Sequence, residues 1–260
     1  MAADDWNPAQ YARFATERSL PFFTLASMVE VAPQPVVVDL GCGSGELTAH
    51  LHRSLGASRT TGIDSSPAML AEAASHATES LTFERGDLAH FEGGGTVDLI
   101  FSNAALQWVD DHPSVLRRWV EGLRSGGQVA VQVPANADHP SHRLGAVVLD
   151  EEPFRSTRRG PIPVDLHAVL APEAYAELLF DLGLTDLEVR LQVFPHVLSS
   201  SAELVEWVRA TALLRYLRLV PDELHQAFID RYRTVLLDEV GDRSPYFYPF
   251  KRILFVGRRP

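Results

Sequence analysis

The sequence predicts an α/β fold built on a doubly wound, mostly parallel sheet, and three observations carry that expectation. Apolar β-branched runs and helical stretches alternate from Val36 to Val133, the pattern of strands joined by crossover helices. Val36-Val37-Val38 places three β-branched residues in a row, which suits a strand covered on both faces. That run opens into Asp39-Leu40-Gly41-Cys42-Gly43-Ser44-Gly45-Glu46, a glycine-rich turn leading into a helix.

Taken in order, residues Trp6 to Val31 read as one or two helices broken around Ser19-Leu20-Pro21, with Tyr11, Phe14 and Phe22 on a core face or in a lid. Gly41, Gly43 and Gly45 permit positive φ and close backbone approach, so a ligand can lie against the main chain at the strand's carboxyl end. The turn is a candidate nucleotide cradle. Its spacing is G-x-G-x-G, whereas the dinucleotide fingerprint is G-x-G-x-x-G, and the Lys-Ser/Thr pair of a P-loop is missing. An NAD-type domain is the alternative, and the absent third glycine weighs against it. Asp39 either caps the glycine turn through backbone N–H groups or faces the ligand.

A helix over Leu47 to Leu55 and a strand ending Thr60-Thr61-Gly62-Ile63-Asp64 follow. Asp64 then lies about twenty residues past the turn, where a carboxylate accepts hydrogen bonds from ribose hydroxyls. Ser65-Ser66-Pro67 caps the next helix, which runs through Ala74. The third strand ends Phe83-Glu84-Arg85-Gly86-Asp87-Leu88 and brings Asp87 to the level of an adenine amino group. Val97 to Phe101 is the fourth strand, and the loop Ser102 to Trp108 leaves its carboxyl end, where ligands bind in such sheets. Asn103 and Gln107 are therefore site candidates, with Trp108 a wall or a core residue. A helix from His112-Pro113 through Leu123 ends at Gly126-Gly127, and Gln128 to Val133 is the fifth strand.

Beyond Pro134 the rhythm changes. A helix is expected at Pro140-Ser141-His142, a loop over Arg155 to Pro161, a helix over Pro172 to Leu182, and a strand over Leu187 to Val197. A helical block from Ser201 to Val240, placed to roof the sheet's carboxyl edge, precedes the final strand Arg252 to Val256. His50, His52 and His76 fall on surface helices and read as solvated.

Composition bounds the function. The 260 residues carry a formal net charge of -11 with no basic block, which argues against a nucleic-acid partner. Cys42 is the single cysteine, so an internal disulfide is excluded and a reducing compartment fits. No window is apolar enough to span a bilayer, and the start lacks the charged and apolar regions of a signal peptide. A cytoplasmic protein with no membrane partner is expected. The histidines show no metal-ligand spacing, so no metal is expected.

Val37-Val38-Asp39-Leu40-Gly41-Cys42-Gly43-Ser44-Gly45, Gly62-Ile63-Asp64 and Gly86-Asp87-Leu88, each at a strand end, resemble the class I S-adenosylmethionine-dependent methyltransferases. The resemblance implies a Rossmann-like, seven-stranded, mostly parallel sheet with a helical cap, and S-adenosyl-L-methionine as cofactor. It implies that Tyr11, Asp39, Gly41, Gly43, Gly45, Asp64, Ser65, Met69, Asp87, Leu88 and Asn103 bind that cofactor, with Asp39 near the methionine ammonium.

A narrower resemblance runs from residue 5 to the end. Asp5-Trp6-Asn7-Pro8 with Tyr11, Glu17-Arg18-Ser19, Ser65-Ser66-Pro67-Ala68-Met69-Leu70, Asn103-Ala104-Ala105-Leu106-Gln107-Trp108, Ala130-Val131-Gln132-Val133-Pro134 with Pro140-Ser141-His142, and Pro249-Phe250-Lys251-Arg252 look like the trans-aconitate 2-methyltransferases. This implies esterification of one carboxylate of a small polycarboxylic acid, with Arg18, Gln107, Trp108, His142, His167, His196, Arg215 and Arg252 binding it and no catalytic base. Two departures fall in the helical roof: Ala212-Leu213-Leu214-Arg215-Tyr216 stands where relatives carry Gly-Leu-Arg-Pro, and Phe194 stands where they carry tyrosine. The competing readings are a small-molecule O- or C-methyltransferase with another acceptor, and a cofactor-binding module without turnover. The expected division is an amino-terminal lid over residues 1–33, a cofactor-binding core over 34–135 and a carboxyl-terminal part with a substrate cap over 136–260. Oligomeric state is left open by the sequence.

Overall fold

The computed structural model describes residues 15–160, 169–209 and 211–260, and for residues 15–18 the backbone alone. Seven strands, β1 (Val36–Leu40), β2 (Arg59–Asp64), β3 (Leu81–Arg85), β4 (Val97–Asn103), β5 (Leu123–Pro134), β6 (Thr185–Leu198) and β7 (Tyr246–Arg258), form one sheet in the order β3-β2-β1-β4-β5-β7-β6. β1 to β5 pair in parallel, and β7 runs antiparallel to β5. The order reverses between β1 and β4. Helices Glu46–Leu55, Pro67–Ala73 and His112–Gly122 connect the parallel strands. This is the α/β class that the alternation predicts.

The chain divides into two compact units. One comprises Thr16–Ala135, Ala168–Val193 and Lys251–Pro260. Its core joins β1, β4 and β5 residues such as Val38, Leu40, Ile100, Val129 and Val131 to Trp119, Tyr175 and Phe255. Tyr175 stacks on Phe255 with ring centroids 4.7 Å apart, and its hydroxyl lies 2.6 Å from His112 Nδ1. The other unit is built from the described parts of Asn136–His167 and Phe194–Phe250. Here helix Pro140–Leu149 packs on helix His225–Val240, with Leu144, Val148, Phe228, Tyr232 and Leu236 buried. A Cβ at Gly145 would stand 2.3 Å from the ring of Tyr216, so only glycine admits that ring.

Local differences from the expectations have physical causes. The first described helix, Ala15–Ala26, runs through Pro21 instead of breaking there. Phe22 and Leu25 are buried beyond that proline, and their burial offsets the missing backbone donor. β5 starts at Leu123, and Gly126-Gly127 belong to the strand instead of ending a helix. Helix His112–Gly122 stops where Gly122 meets the backbone of Gly93, and Leu123 pairs with Val97 before the register shifts to Leu99 and Gln128. Gly126, at φ 78°, supplies the irregularity. β7 begins at Tyr246, because Tyr246, Tyr248 and Phe250 alternate inward. Residues Phe154–Thr157 form a short helix that takes in the start of the expected loop. His52 is not simply solvated: its Nδ1 lies 2.9 Å from Thr60 Oγ1 and its Nε2 3.2 Å from Ser80 Oγ, tying a helix to the sheet.

Among the described residues no helix is long and apolar enough to cross a membrane. Among them, too, no group of three or more His, Cys, Asp or Glu is placed to hold a metal ion.

Candidate active site

Of the residues expected to meet the cofactor, those that the structure describes lie at or just beyond the ends of β3, β2, β1 and β4. The turn after β1 is held by Ile63, whose carbonyl accepts from Gly41 N at 2.7 Å and from Cys42 N at 3.1 Å. Gly41, Gly43 and Gly45 all have positive φ, 82°, 55° and 78°. The three differ in what surrounds them. A Cβ at Gly41 would stand 2.1 Å from that of Ala105, and one at Gly45 would meet Phe83 at 2.7 Å, so these two glycines serve close packing. Gly43 has nothing within 4 Å of its missing Cβ, which leaves its main chain open to a ligand.

Asp64, at the tip of β2, accepts from Gly43 N on one oxygen and from Ser66 N on the other, both at 2.9 Å. Asp64, rather than Asp39, therefore braces the glycine turn. Each oxygen of an ionised carboxylate has a further lone pair, so the side chain is locked in place with acceptor capacity to spare. Ser66 caps helix Pro67–Ala73 through Met69 N at 3.3 Å, and Met69 is buried beneath. Ser65 is exposed in the intervening bend.

Asp39 is buried, and Thr48, fully buried, donates its hydroxyl to Asp39 Oδ2 at 2.5 Å. Desolvation is the main cause that pushes the Asp39 carboxyl up to about 7; Asp64 adds to it and the Thr48 hydrogen bond opposes it. A positively charged ligand group beside it would draw that value back down. The Cys42 thiol is pushed up by burial and by the Asp39 and Asp64 charges, which suits a packing role and not a reactive one.

Asp87 caps a single turn of 3-10 helix, Leu88–His90, by accepting from Ala89 N at 2.9 Å, with His90 Nδ1 3.1 Å from its other oxygen. The carbonyl of Leu88 receives Trp119 Nε1 at 2.9 Å, and that of Ala89 receives Arg118 Nε at 2.9 Å, which fixes the turn. At the end of β4, Ala104 adopts φ 55° and donates its N–H to Gln132 O at 2.9 Å. A non-glycine residue in the left-handed region costs energy and is retained where the surroundings impose it. Gln107 Nε2 donates to Ala104 O at 2.6 Å, closing the same loop, and Trp108 is 37% exposed, so it is not a core residue. Asn103 Oδ1 is buried and, among the described residues, has no hydrogen-bond partner. The same holds for both polar side-chain atoms of Gln132, which is completely buried.

The acceptor residues inferred from sequence distribute between the units. His142 and His196 come together in one of them: each ring lies 6.0 Å from Phe250, and His196, 2% exposed, lies 4.9 Å from Trp207. Ser141 is the hub beside them, with its hydroxyl 3.0 Å from His142 Nδ1 and 3.1 Å from Tyr248 OH. His139 Nδ1 accepts from Ser141 N at 3.1 Å, which caps helix Pro140–Leu149 and places the His139 proton on Nε2. Tyr232 and Tyr216 donate to the carbonyls of Ser141 and His142 at 2.7 and 2.8 Å. Burial pushes the Tyr216 phenol up to about 12 against the opposing Arg215 charge. Gln107, Trp108 and Arg252, the last 7% exposed on β7, belong to the other unit. Tyr11 and His167 lie outside the described residues, as does the side chain of Arg18 on helix Ala15–Ala26. Thr48 and Gln132 escaped the sequence reading. A lone glutamine in the otherwise apolar run Val129 to Val133 was the available signal for the second.

Comparison with known proteins places the chain in a family. The model of a family described as a methyltransferase domain matches residues 37–127, from β1 into β5. A trans-aconitate 2-methyltransferase of Deinococcus radiodurans is 44% identical over 262 residues, covering 98% of each chain. One from Escherichia coli O7:K1 is 36% identical over 257 residues, again covering 98% of each. Among solved structures, Haemonchus contortus phosphoethanolamine N-methyltransferase 2 in complex with S-adenosyl-L-methionine superposes with a TM-score of 0.56 at 16% identity, a likeness of fold. That match covers 92% of this chain, which spans about half, 52%, of the Haemonchus protein.

The residues present fit S-adenosylmethionine. The open main chain at Gly43, the braced Asp64 carboxylate, the buried Asp39 and the Asn103 oxygen, which has no hydrogen-bond partner among the described residues, are acceptors and an approach of the kind a nucleoside with a charged amino-acid tail requires. By its likeness along almost its whole length to curated members, and in keeping with its fold, this chain belongs to the trans-aconitate 2-methyltransferase family of S-adenosylmethionine-dependent methyltransferases.

Proposed function

We propose that this chain esterifies a carboxylate of trans-aconitate, releasing the monomethyl ester and S-adenosylhomocysteine. The observation that carries this reading is the 44% identity over 98% of both chains to a trans-aconitate 2-methyltransferase. Bound S-adenosylmethionine supplies an electrophilic methyl group on a sulfonium. Asp64 would hold its ribose, Asp87 and Leu88 its adenine, and Asp39, Asn103 and the Gly41 to Gly45 turn its methionine part; Tyr11, Ser65 and Met69 complete the proposed set.

A carboxylate is ionised at neutral pH, so its oxygen attacks without a general base. The chain's task is to orient the two reactants and exclude water, which supplies several kcal/mol of the barrier. A polyanionic acceptor also needs cations, and a protein of net charge -11 must concentrate them locally. Arg252 supports this role because it is nearly buried, where a guanidinium grips a carboxylate in two places. Arg18 and Arg215 join it in the proposal, with His142, His167, His196, Gln107 and Trp108 as further acceptor contacts.

The test is incubation with methyl-labelled cofactor and a panel of one-, two- and three-carboxylate acids, with the products resolved by mass spectrometry. Label in a methyl ester of trans-aconitate is the expected result. Label on carbon, or on another acid only, would replace the proposed acceptor, and cofactor binding without turnover on any acid would remove the enzymatic reading.

A further inference from the structure

We propose that Gln132 is a specificity-determining residue of the acceptor site, donating through Nε2 to a carboxylate of the acid that is not being methylated. The inference rests on the esterification proposed above. It begins with a conflict: Gln132 is 0% exposed, and among the described residues neither Oε1 nor Nε2 has a hydrogen-bond partner. An unsatisfied buried amide is costly, and native proteins retain one where a ligand completes it.

The sheet register says where the amide sits. In-register partners on neighbouring strands share a face, as do residues two apart on one strand. Asn103 on β4 pairs with Gln132 on β5, and Pro134, two residues along, pairs with Arg252 on β7. Asn103, Gln132 and Arg252 therefore lie on one face of three adjacent strands, with Leu254 directly opposite Gln132 on β7 and Arg252 diagonal to it. Next to them on that face Phe101 and Ala130 are fully buried, with Phe22 packed on Phe101 at 5.2 Å, and the buried polar side chains farther along it are partnered, Asp39 by Thr48 and Gln128 by Glu30 N. Gln132 stands one strand beyond the four tips that carry the cofactor residues and adjoins the strand of Arg252. An amide N–H donor and a guanidinium on one face are matched to a carboxylate, which when ionised accepts and does not donate.

Gln132→Met keeps the length and removes both polar atoms. The expected result is an acceptor KM raised about 10- to 100-fold, the loss of one hydrogen bond to a charged group, with the cofactor Kd unchanged. The melting temperature of the ligand-free variant should rise, since two unsatisfied atoms are gone. Gln132→Glu, which sets a carboxylate against the acid, should raise the acceptor KM further. If methionine is not tolerated, Gln132→Asn withdraws the amide by one methylene and should raise the same KM. An unchanged acceptor KM in a folded variant, or equal changes in acceptor KM and cofactor Kd, overturns the inference while wild-type turnover of trans-aconitate stands. A wild-type chain that esterifies no carboxylic acid defeats the proposed function first and takes this inference with it.

Discussion

In the unit that carries the glycine turn, main-chain N–H groups meet carboxylates: Gly43 and Ser66 donate to Asp64, and Ala89 donates to Asp87. In the unit built on Asn136–His167 and Phe194–Phe250, side chains meet side chains: Ser141, His142 and Tyr248 share one hydroxyl hub, and His196 lies among Trp207 and Phe250. The first arrangement depends on backbone conformation, so a few residues in sequence specify it. The second depends on rotamers from four segments, so its parts are anonymous until they are packed. The difference teaches that the residues proposed to hold the cofactor rest on short contiguous motifs, whereas the aromatic and histidine cluster rests on packing between two helices and the strands β6 and β7.

That comparison can be broken at several points. The largest effect is expected from Gly41→Val, where a β-branched side chain would sit at φ 82° with its Cβ 2.1 Å from that of Ala105. Destabilisation above about 4 kcal/mol is expected from strain and overlap together; a variant that melts like the wild type would show that the turn is not set by close packing. Next comes pH. The Asp39 carboxyl, raised from 3.8 to about 7 in the folded chain, keeps its proton where the unfolded chain has lost it. Its contribution is present in full below pH 3.8 and is lost as pH rises to about 7, a change of at most about 4 kcal/mol. Denaturant unfolding of wild type and Asp39→Asn across pH 4 to 8 should therefore converge in acid and leave the variant relatively more stable at neutral pH; parallel curves would place Asp39 ionised throughout.

Asp64→Ala should weaken cofactor binding by about 100-fold, roughly 3 kcal/mol, because it removes the proposed ribose acceptor and releases Gly43 N and Ser66 N together. Calorimetry showing unaltered affinity would break the link between that carboxylate and the cofactor. The smallest effect sharpens the contrast. Ser141→Ala should cost about 1–3 kcal/mol of stability by leaving buried partners unsatisfied, yet leave cofactor affinity alone, since Ser141 and its partners His142 and Tyr248 are not among the residues proposed to bind the cofactor. A large loss of cofactor affinity would instead mean that the two arrangements are not independent.

How legible each part was follows from the same contrast. β1 through β4, the glycine turn, and Asp64 and Asp87 at strand tips could all be read in order, because alternation, β-branching and glycine spacing report local backbone conformation. Two readings failed because packing overruled a local breaker. Pro21 sits inside a helix because Phe22 and Leu25 are buried, and Gly126-Gly127 make a strand irregularity because Leu123 is already paired with Val97.

From the sequence alone came the parallel sheet and the carboxylates and glycines at its strand ends, since each is specified within a few neighbouring positions, and, through the resemblance those motifs carry, the kind of cofactor. Only the tertiary structure decided that Thr48 holds Asp39, that Asp64 braces Gly43, that His142 and His196 share Phe250, and that Gln132 shares a buried face with Asn103 and Arg252. Those relations join residues far apart along the chain, and a hydrogen bond or a shared face exists only once register and packing have set the distance between them.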